Sequence, residues 1–162
     1  MIVVVMGVAG VGKTTVGRLL ARGLGAAFVD ADDYHPAANV AKMHAGKPLT
    51  DDDRRPWLAR LNEVLLEYAA RNASVVLACS ALKQRYREQL FAGVTNGRLV
   101  YLRGTKEMIA ERLGSRREHF MNPALLDSQF AALEEPADAI VADVDDAPEA
   151  IAAAILARFP PG

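Results

Sequence analysis

Ile2-Val3-Val4-Val5-Met6-Gly7-Val8-Ala9-Gly10-Val11-Gly12-Lys13-Thr14-Thr15 is the stretch from which the fold can be read. The β-branched run at positions 2–5 predicts a short buried strand, and Val16, Leu19, Leu20 and Leu24 after it fall on one face at helical spacing. Between strand and helix, Gly7 to Thr14 fits the phosphate-loop pattern G-x-x-x-x-G-K-[ST] at every fixed position. Glycines there let the chain turn tightly, so that backbone N–H groups and the positive end of the following helix converge on anionic oxygens. Gly7, Val8, Ala9, Gly10, Val11, Gly12, Lys13, Thr14 and Thr15 are therefore the candidate nucleotide-phosphate ligands. Lys13 adds a point charge for the β- and γ-phosphates, and the Thr14 hydroxyl suits Mg²⁺. The bland alternative is a glycine-rich turn before an ordinary helix. At an average glycine usage of about 7%, a chance match in a chain this long arises roughly one time in a hundred or less.

The global composition narrows the field. A chain of 162 residues with 51% hydrophobic and 24% charged residues fits one globular domain, 1–162, with a single core. A formal charge of −1 and the lack of a basic tail give nonspecific nucleic-acid binding no electrostatic support. The lone Cys79 cannot form an internal disulfide, and the apolar start is too short for a signal peptide or membrane span. The expectation is a cytoplasmic protein with neither nucleic-acid nor membrane partners.

Farther along, apolar runs alternate with amphipathic ones. Strands are expected at Ala27–Asp30, Ser74–Cys79, Arg98–Leu102 and Ala139–Val144. Helices are expected near Pro56–Ala70, Lys83–Phe91, Lys106–Leu113, Ala124–Leu133 and Pro148–Arg158. This alternation predicts an α/β fold of three layers, a five-stranded parallel sheet with helices on both faces. Ligands of such sheets gather at the carboxyl ends of the strands, so the residues following each strand carry the functional reading.

Asp30-Ala31-Asp32-Asp33-Tyr34-His35-Pro36 follows the second strand. Carboxylates beside a phosphate site would repel the ligand unless they face a metal or take a proton. Asp30 is a candidate for the Mg²⁺ shell and Asp32 for orienting or deprotonating an attacking hydroxyl. Capping a helix that begins near Pro36 is the structural alternative. His35 either donates to a substrate oxygen or packs beside Tyr34 and Pro36. Asn39, Lys42 and His44 fall on one helical side near the same place. Asp51-Asp52-Asp53 complements a helix dipole, whereas Arg54 does not, so it needs another partner. A substrate carboxylate or an ion pair with Asp52 or Asp53 would serve. After the third strand, Ser80 and Ala81 are small enough for a ligand to approach the backbone. Lys83 and Arg87, four apart, share a helical face that either turns to the pocket or to solvent. Cys79 reads as a buried small hydrophobe. The basic, glycine-containing stretch 114–123, with Arg116, Arg117 and His119, suits a mobile lid, and Arg112 before it could lie against an adenine.

Taken together, the phosphate loop, Asp30-Ala31-Asp32 with His35-Pro36, Asn39 to Met43, Asp52-Asp53-Arg54 with Pro56-Trp57-Leu58, Cys79 to Lys83 with Tyr86-Arg87, and the Arg116/His119-Phe120 lid resemble the small bacterial gluconokinases. The resemblance spans nearly the whole chain, with Ala31 standing where a glycine is often found. It implies a fold similar to shikimate and nucleoside-monophosphate kinases, and transfer of a phosphoryl group from ATP, with Mg²⁺, to the 6-hydroxyl of D-gluconate. It also implies a homodimer, Asp32 as base, Lys13 and Arg116 as catalytic cations, and Arg54 and Arg87 toward the sugar-acid carboxylate. Ser80, Lys83, His35 and His119 complete the expected acceptor site. Phosphorylation of shikimate or a nucleoside monophosphate is the alternative within the enzyme class. A nucleotide-dependent switch is the alternative outside it, although the chain lacks the guanine-reading N-K-x-D pattern.

Overall fold

In the computed structural model, which describes residues 1–115 and 123–160, five strands form one parallel sheet. They are β1 (Ile2–Met6), β2 (Ala27–Asp30), β3 (Val75–Ala78), β4 (Gly97–Arg103) and β5 (Ile140–Asp143), in the order β2-β3-β1-β4-β5. β1 lies at the centre, with Val3 in register with Val76 of β3 and Arg98 of β4. All five β1 residues are buried, because both sheet faces are covered and the strand is apolar on both. Val3 and Val5 pack with Leu20, Ile109 and Ile155 on one face, from α1 (Lys13–Leu24), α5 (Lys106–Ser115) and α7 (Pro148–Leu156). Ile2, Val4 and Met6 pack on the other with Trp57, Leu61 and Leu90, from α3 (Asp51–Ala70) and α4 (Gln84–Leu90). The short helix α2 (Ala37–His44) follows a 3-10 turn at Ala31–Tyr34, and α6 is Pro123–Ala132. Among the described residues no helix is long and apolar enough to cross a membrane.

Parallel strands bring β1, β2 and β3 to their carboxyl ends on one edge, where the phosphate loop leaves β1. Gly7, at φ +156°, permits that exit: a Cβ there would lie 2.9 Å from the Leu102 carbonyl oxygen. Gly12, at φ +103°, caps α1 in a left-handed conformation that an L side chain rarely adopts.

The long helix differs from its expected start. It begins at Asp51, five residues before Pro56, and the acidic run forms its first turn. Thr50 caps it: Asp53 N–H donates to Thr50 Oγ1 at 3.1 Å, and Thr50 N–H donates to Asp53 Oδ2 at 2.8 Å. This capping box, with three carboxylates at the positive end of the dipole, outweighs the missing N–H of a proline inside the second turn.

Arg87 also departs from expectation. It is buried, and all five guanidinium N–H donors go to protein acceptors: the carbonyls of Ala81 (2.8 Å), Leu82 (3.0 Å) and Glu134 (2.8 Å), and Gln84 Oε1 twice, at 3.1 and 3.3 Å. No donor remains for a substrate carboxylate. Its role is structural, because it holds Ala81, buried at φ +44°, in the left-handed region that ordinarily costs about 1–2 kcal/mol. Lys83 does not share its direction. The ammonium stands 3.9 Å from Asp51 and over the Tyr86 ring, facing the more open depression between α4 and α6.

Arg87→Met should leave the buried Ala81 carbonyl without its donor and remove one donor each from the Leu82 and Glu134 carbonyls, lowering stability by roughly 2 to 3 kcal/mol, read as a fall in the urea midpoint. A second expectation concerns acid. The Lys42 ammonium, 2.6 Å away, and the Thr50 N–H hold the Asp53 carboxyl down at about 2, against 3.8 for a free side chain. A depressed carboxyl stabilises the fold fully above its unfolded value and ceases to do so as pH falls through its folded one. The melting-temperature gap between the parent and Asp53→Ala should therefore be constant above about pH 5 and close between about pH 4 and 2.

Candidate active site

At the carboxyl edge of the sheet lies a cleft of about 590 Å³, within the usual range for small-molecule sites. Four parts of the chain wall it: the phosphate loop, the ends of β2 and β3, the segment from Met43 to Trp57, and the facing sides of α5 and α6. Right-handed crossovers bring these distant stretches to one edge.

The loop contributes unequally. Ala9, Gly10, Gly12, Lys13, Thr14 and Thr15 line the cleft. Val8 and Val11 instead turn their side chains into the core, and Gly7 N–H donates to the Ser80 carbonyl at 3.3 Å, fastening the loop's root to the end of β3. Ala9 N–H is held by Gln129 Oε1 of α6 at 2.6 Å. The Lys13 ammonium donates to the Gly7 and Val8 carbonyls, at 2.9 and 3.1 Å. Burial lowers its pKa, opposed by the charges of Asp32, Cys79 and Asp30.

Thr14 and Asp30, each named above as a candidate for Mg²⁺, meet at the cleft. Thr14 Oγ1 donates to Asp30 Oδ2 at 3.2 Å, while Asp30 Oδ1 accepts the Asp32 N–H at 3.0 Å. Asp30 thus caps the 3-10 turn and faces the loop at once. Asp32 projects into the cleft with 86% of its side chain exposed. Its pKa is raised, first by the surrounding protein and next by the Asp30 carboxylate, with Lys13 pulling it back. Because so much of the side chain meets water, solvent weakens both influences.

His35 faces Asp32, with Nε2 3.9 Å from Oδ1. Its packing partner is Trp57, not Tyr34 or Pro36: the rings stack at 4.1 Å with 13° between planes. Trp57 is fixed in turn by donation from Nε1 to the Ala31 carbonyl at 2.8 Å. Burial lowers the His35 pKa, Asp32 opposing and the Arg54 charge assisting.

Arg54 lines the cleft and forms no ion pair with Asp52 or Asp53, whose partners are Arg55 and Lys42. One guanidinium nitrogen donates to the Leu49 carbonyl (2.7 Å) and the Tyr86 hydroxyl (3.3 Å). Tyr86 donates to Asp51. Nε and Nη2 of Arg54 make no hydrogen bond among the described residues. Ser80 lines the same cleft. Arg87 and Lys83 do not, for the reasons given above.

Arg112 lies away from the cleft lining and donates to the Val144 carbonyl. Cys79, though at the cleft's floor, is buried, and burial pushes its thiol up to about 12, so it stays protonated and unreactive. Arg116, Arg117 and His119 lie outside the described residues.

Lys47, Trp57 and Gln129 line the cleft although none was a candidate site residue in the sequence. Trp57 carried a helical core signal that masked its second face. Lys47 sits in an exposed link, and Gln129 reaches the loop from 120 positions away, so neither has a local signature.

Comparison with known proteins follows the same lines. The sequence pattern of the shikimate kinase family matches residues 9–159. The thermoresistant gluconokinase of Escherichia coli K12 is 41% identical over 159 residues, covering 96% of this chain and 91% of that protein. The gluconokinase of Gluconobacter oxydans 621H is 49% identical over 135 residues, covering 83% and 76%. The crystal structure of a gluconokinase from Sinorhizobium meliloti 1021 superposes with a TM-score of 0.87 at 41% identity, covering 96% of this chain and 89% of that one. Such agreement across nearly the full length, in sequence and in backbone, shows that the chain belongs to the gluconokinase family of shikimate-kinase-like P-loop enzymes.

Proposed function

We propose that this protein is a gluconokinase, transferring the γ-phosphoryl group of ATP to the 6-hydroxyl of D-gluconate to give 6-phosphogluconate and ADP. The observation that carries the reading is the cleft itself: a phosphate loop with Lys13 at one end, the exposed Asp32 carboxylate beside it, and Arg54 with uncommitted donors in the same lining. A sugar acid matches that set, since one end needs an arginine and the other a proton acceptor near the phosphate site.

In the transfer, the acceptor hydroxyl loses its proton to Asp32 as its oxygen bonds to the γ-phosphorus, and the bond from phosphorus to the β,γ-bridging oxygen breaks to release ADP. Lys13 stands where charge develops on the phosphoryl oxygens. Arg54 holds the substrate carboxylate, and Ser80 and His35 supply hydrogen bonds to its hydroxyls.

The Thr14 hydroxyl and the Asp30 carboxylate fit Mg²⁺, because they bring two hard oxygens together beside the phosphate loop. Among the described residues no three His, Cys, Asp or Glu side chains cluster as a dedicated metal cage, which agrees with an ion held chiefly by phosphates and water. When bound, the ion neutralises charge on the β- and γ-phosphates.

The reading includes one catalytic domain over 1–162 with a lid at 114–123, and a cytoplasmic enzyme. Leu113, Leu125, Ser128 and Gln129, on the helices flanking 114–123, already line the cleft, which supports a cover at that place.

An acceptor panel tests the substrate. With ATP and Mg²⁺, nucleotide consumption should rise with gluconate and stay at background with shikimate, glucose and nucleoside monophosphates. An inert gluconate beside another active acceptor would sink the substrate assignment, and slow turnover indifferent to every acceptor would favour a switch. Asp32→Asn should lower kcat by about 10² to 10⁴ with ATP affinity, measured by equilibrium titration, largely kept; near-normal turnover would remove Asp32 from its role.

A further inference from the structure

Two polar residues are buried among the described residues, Arg87 and Asn39, each at 3% exposure. Arg87 is accounted for by the carbonyls it gathers. Asn39, on α2, is not needed to satisfy any helix end, and one of the two residues it touches, His35, lines the cleft. Its Nδ2 lies 2.9 Å from the Asp53 carbonyl oxygen and 3.3 Å from Nδ1 of His35.

These two contacts determine a proton position. The Asp53 carbonyl offers only lone pairs, so the amide group facing it must be the NH₂ end and not the oxygen. The same nitrogen carries a second hydrogen, and among the described residues the only other acceptor it meets is His35 Nδ1. An N–H on Nδ1 would confront a nitrogen with no lone pair to give, so Nδ1 must be the bare nitrogen of a neutral ring. The proton then resides on Nε2, the atom that faces Asp32 Oδ1 across 3.9 Å. Its stack on Trp57 and the enclosure of 95% of the side chain keep the ring from tilting out of this plane.

We propose that Asn39 is a positioning residue that fixes His35 as the neutral Nε2–H tautomer, so that His35 presents a hydrogen-bond donor to an oxygen of the acceptor substrate beside Asp32. The proposal rests on the reading of Asp32 as the proton acceptor for the substrate hydroxyl. Its content is a division of roles between two neighbours: Asp32 offers lone pairs only and His35 offers a proton only. At 3.9 Å the two do not satisfy each other directly, which leaves the Nε2–H available to an oxygen lodged between them. A substrate that lacks an oxygen there would leave a buried donor without a partner, and that is a steep form of discrimination.

The test is a nitrogen–proton correlation spectrum of the full chain with ¹⁵N-labelled histidine, recorded without substrate near neutral pH. The His35 ring should show a protonated Nε2 and an unprotonated Nδ1 in the parent, and a mixture of both tautomers in Asn39→Ala. A protonated Nδ1 in the parent, or an unchanged spectrum in Asn39→Ala, overturns the proposal; the parent spectrum alone decides it should the variant not fold. Kinetics supply the second arm. His35→Gln, which can place an amide N–H near the Nε2 position, should keep kcat/KM for the acceptor within about threefold, while His35→Asn should lose about tenfold, one hydrogen bond's worth. Equal losses in both overturn the donor role. Because the spectrum is read without any acceptor, the tautomer stands or falls apart from the identity of the substrate.

Discussion

The hydrogen bond from Thr14 to Asp30 is the constraint on which the site depends. It joins the first residues of α1 to the end of β2, although β3 lies between β1 and β2 in the sheet. Only a parallel sheet with its crossovers on a common hand can bring those two ends to one edge. Once they meet, the phosphate loop and the acidic turn line one cleft, and Asp32 is carried into it because its own N–H is tied to Asp30. Electrostatically the arrangement is unfavourable alone: Asp30 and Asp32 repel, and both repel phosphate. Lys13 and the amides of the loop offset that repulsion, and a Mg²⁺ at the Thr14–Asp30 pair would convert one carboxylate from a liability into a ligand.

A second structure, independent of the sheet, sets the acceptor side. The capping box of Thr50 and Asp53 fixes where α3 starts, and that start places Arg54 on the cleft side and Trp57 beneath His35. The same Asp53 binds Lys42 through its carboxylate and Asn39 through its carbonyl, so α2 is fastened to α3 at two points. A helix cap, ordinarily a matter of stability worth about 1 kcal/mol, here also aligns a cleft-lining arginine and a histidine ring.

Much of this was legible in the chain, and the reason is local. The phosphate loop has a fixed spacing because its backbone has one way to fold around an anion, and the strands announce themselves as short apolar runs. The start of α3 misled because proline is a strong helix-start signal, whereas the capping box five residues earlier needs a side-chain geometry that Thr-x-x-Asp only suggests. Arg54 and Arg87 show where sequence stops being informative. Both are arginines beside a strand end or helix start, and nothing local separates them. What separates them is tertiary: Ala81 and Leu82 turn their carbonyls back on Arg87 and Glu134, just past α6, brings a third, while among the described residues the Arg54 guanidinium bonds to Leu49 and Tyr86 alone. Gln129 on the loop amide and Trp57 under His35 were hidden for the same reason.

The neutrality of His35 matters for more than its own hydrogen bond. Were the ring cationic, its charge would stand about 4 Å from Asp32, an attraction on the order of 1 kcal/mol in water and about 4 kcal/mol at the effective dielectric of a protein surface. Attraction of that size would hold the carboxylate as an ion pair and make it a poorer base, since any proton it accepted would have to break the pair. Enclosure of the ring against Trp57 and the lone-pair demand of Asn39 both act against the cation, one by desolvation and the other by hydrogen-bond polarity. A neutral ring therefore spares Asp32 one nearby positive charge, which would lower its proton affinity. The aromatic platform and the buried amide, neither of which touches phosphate, thereby govern how readily the carboxylate in the cleft can take a proton.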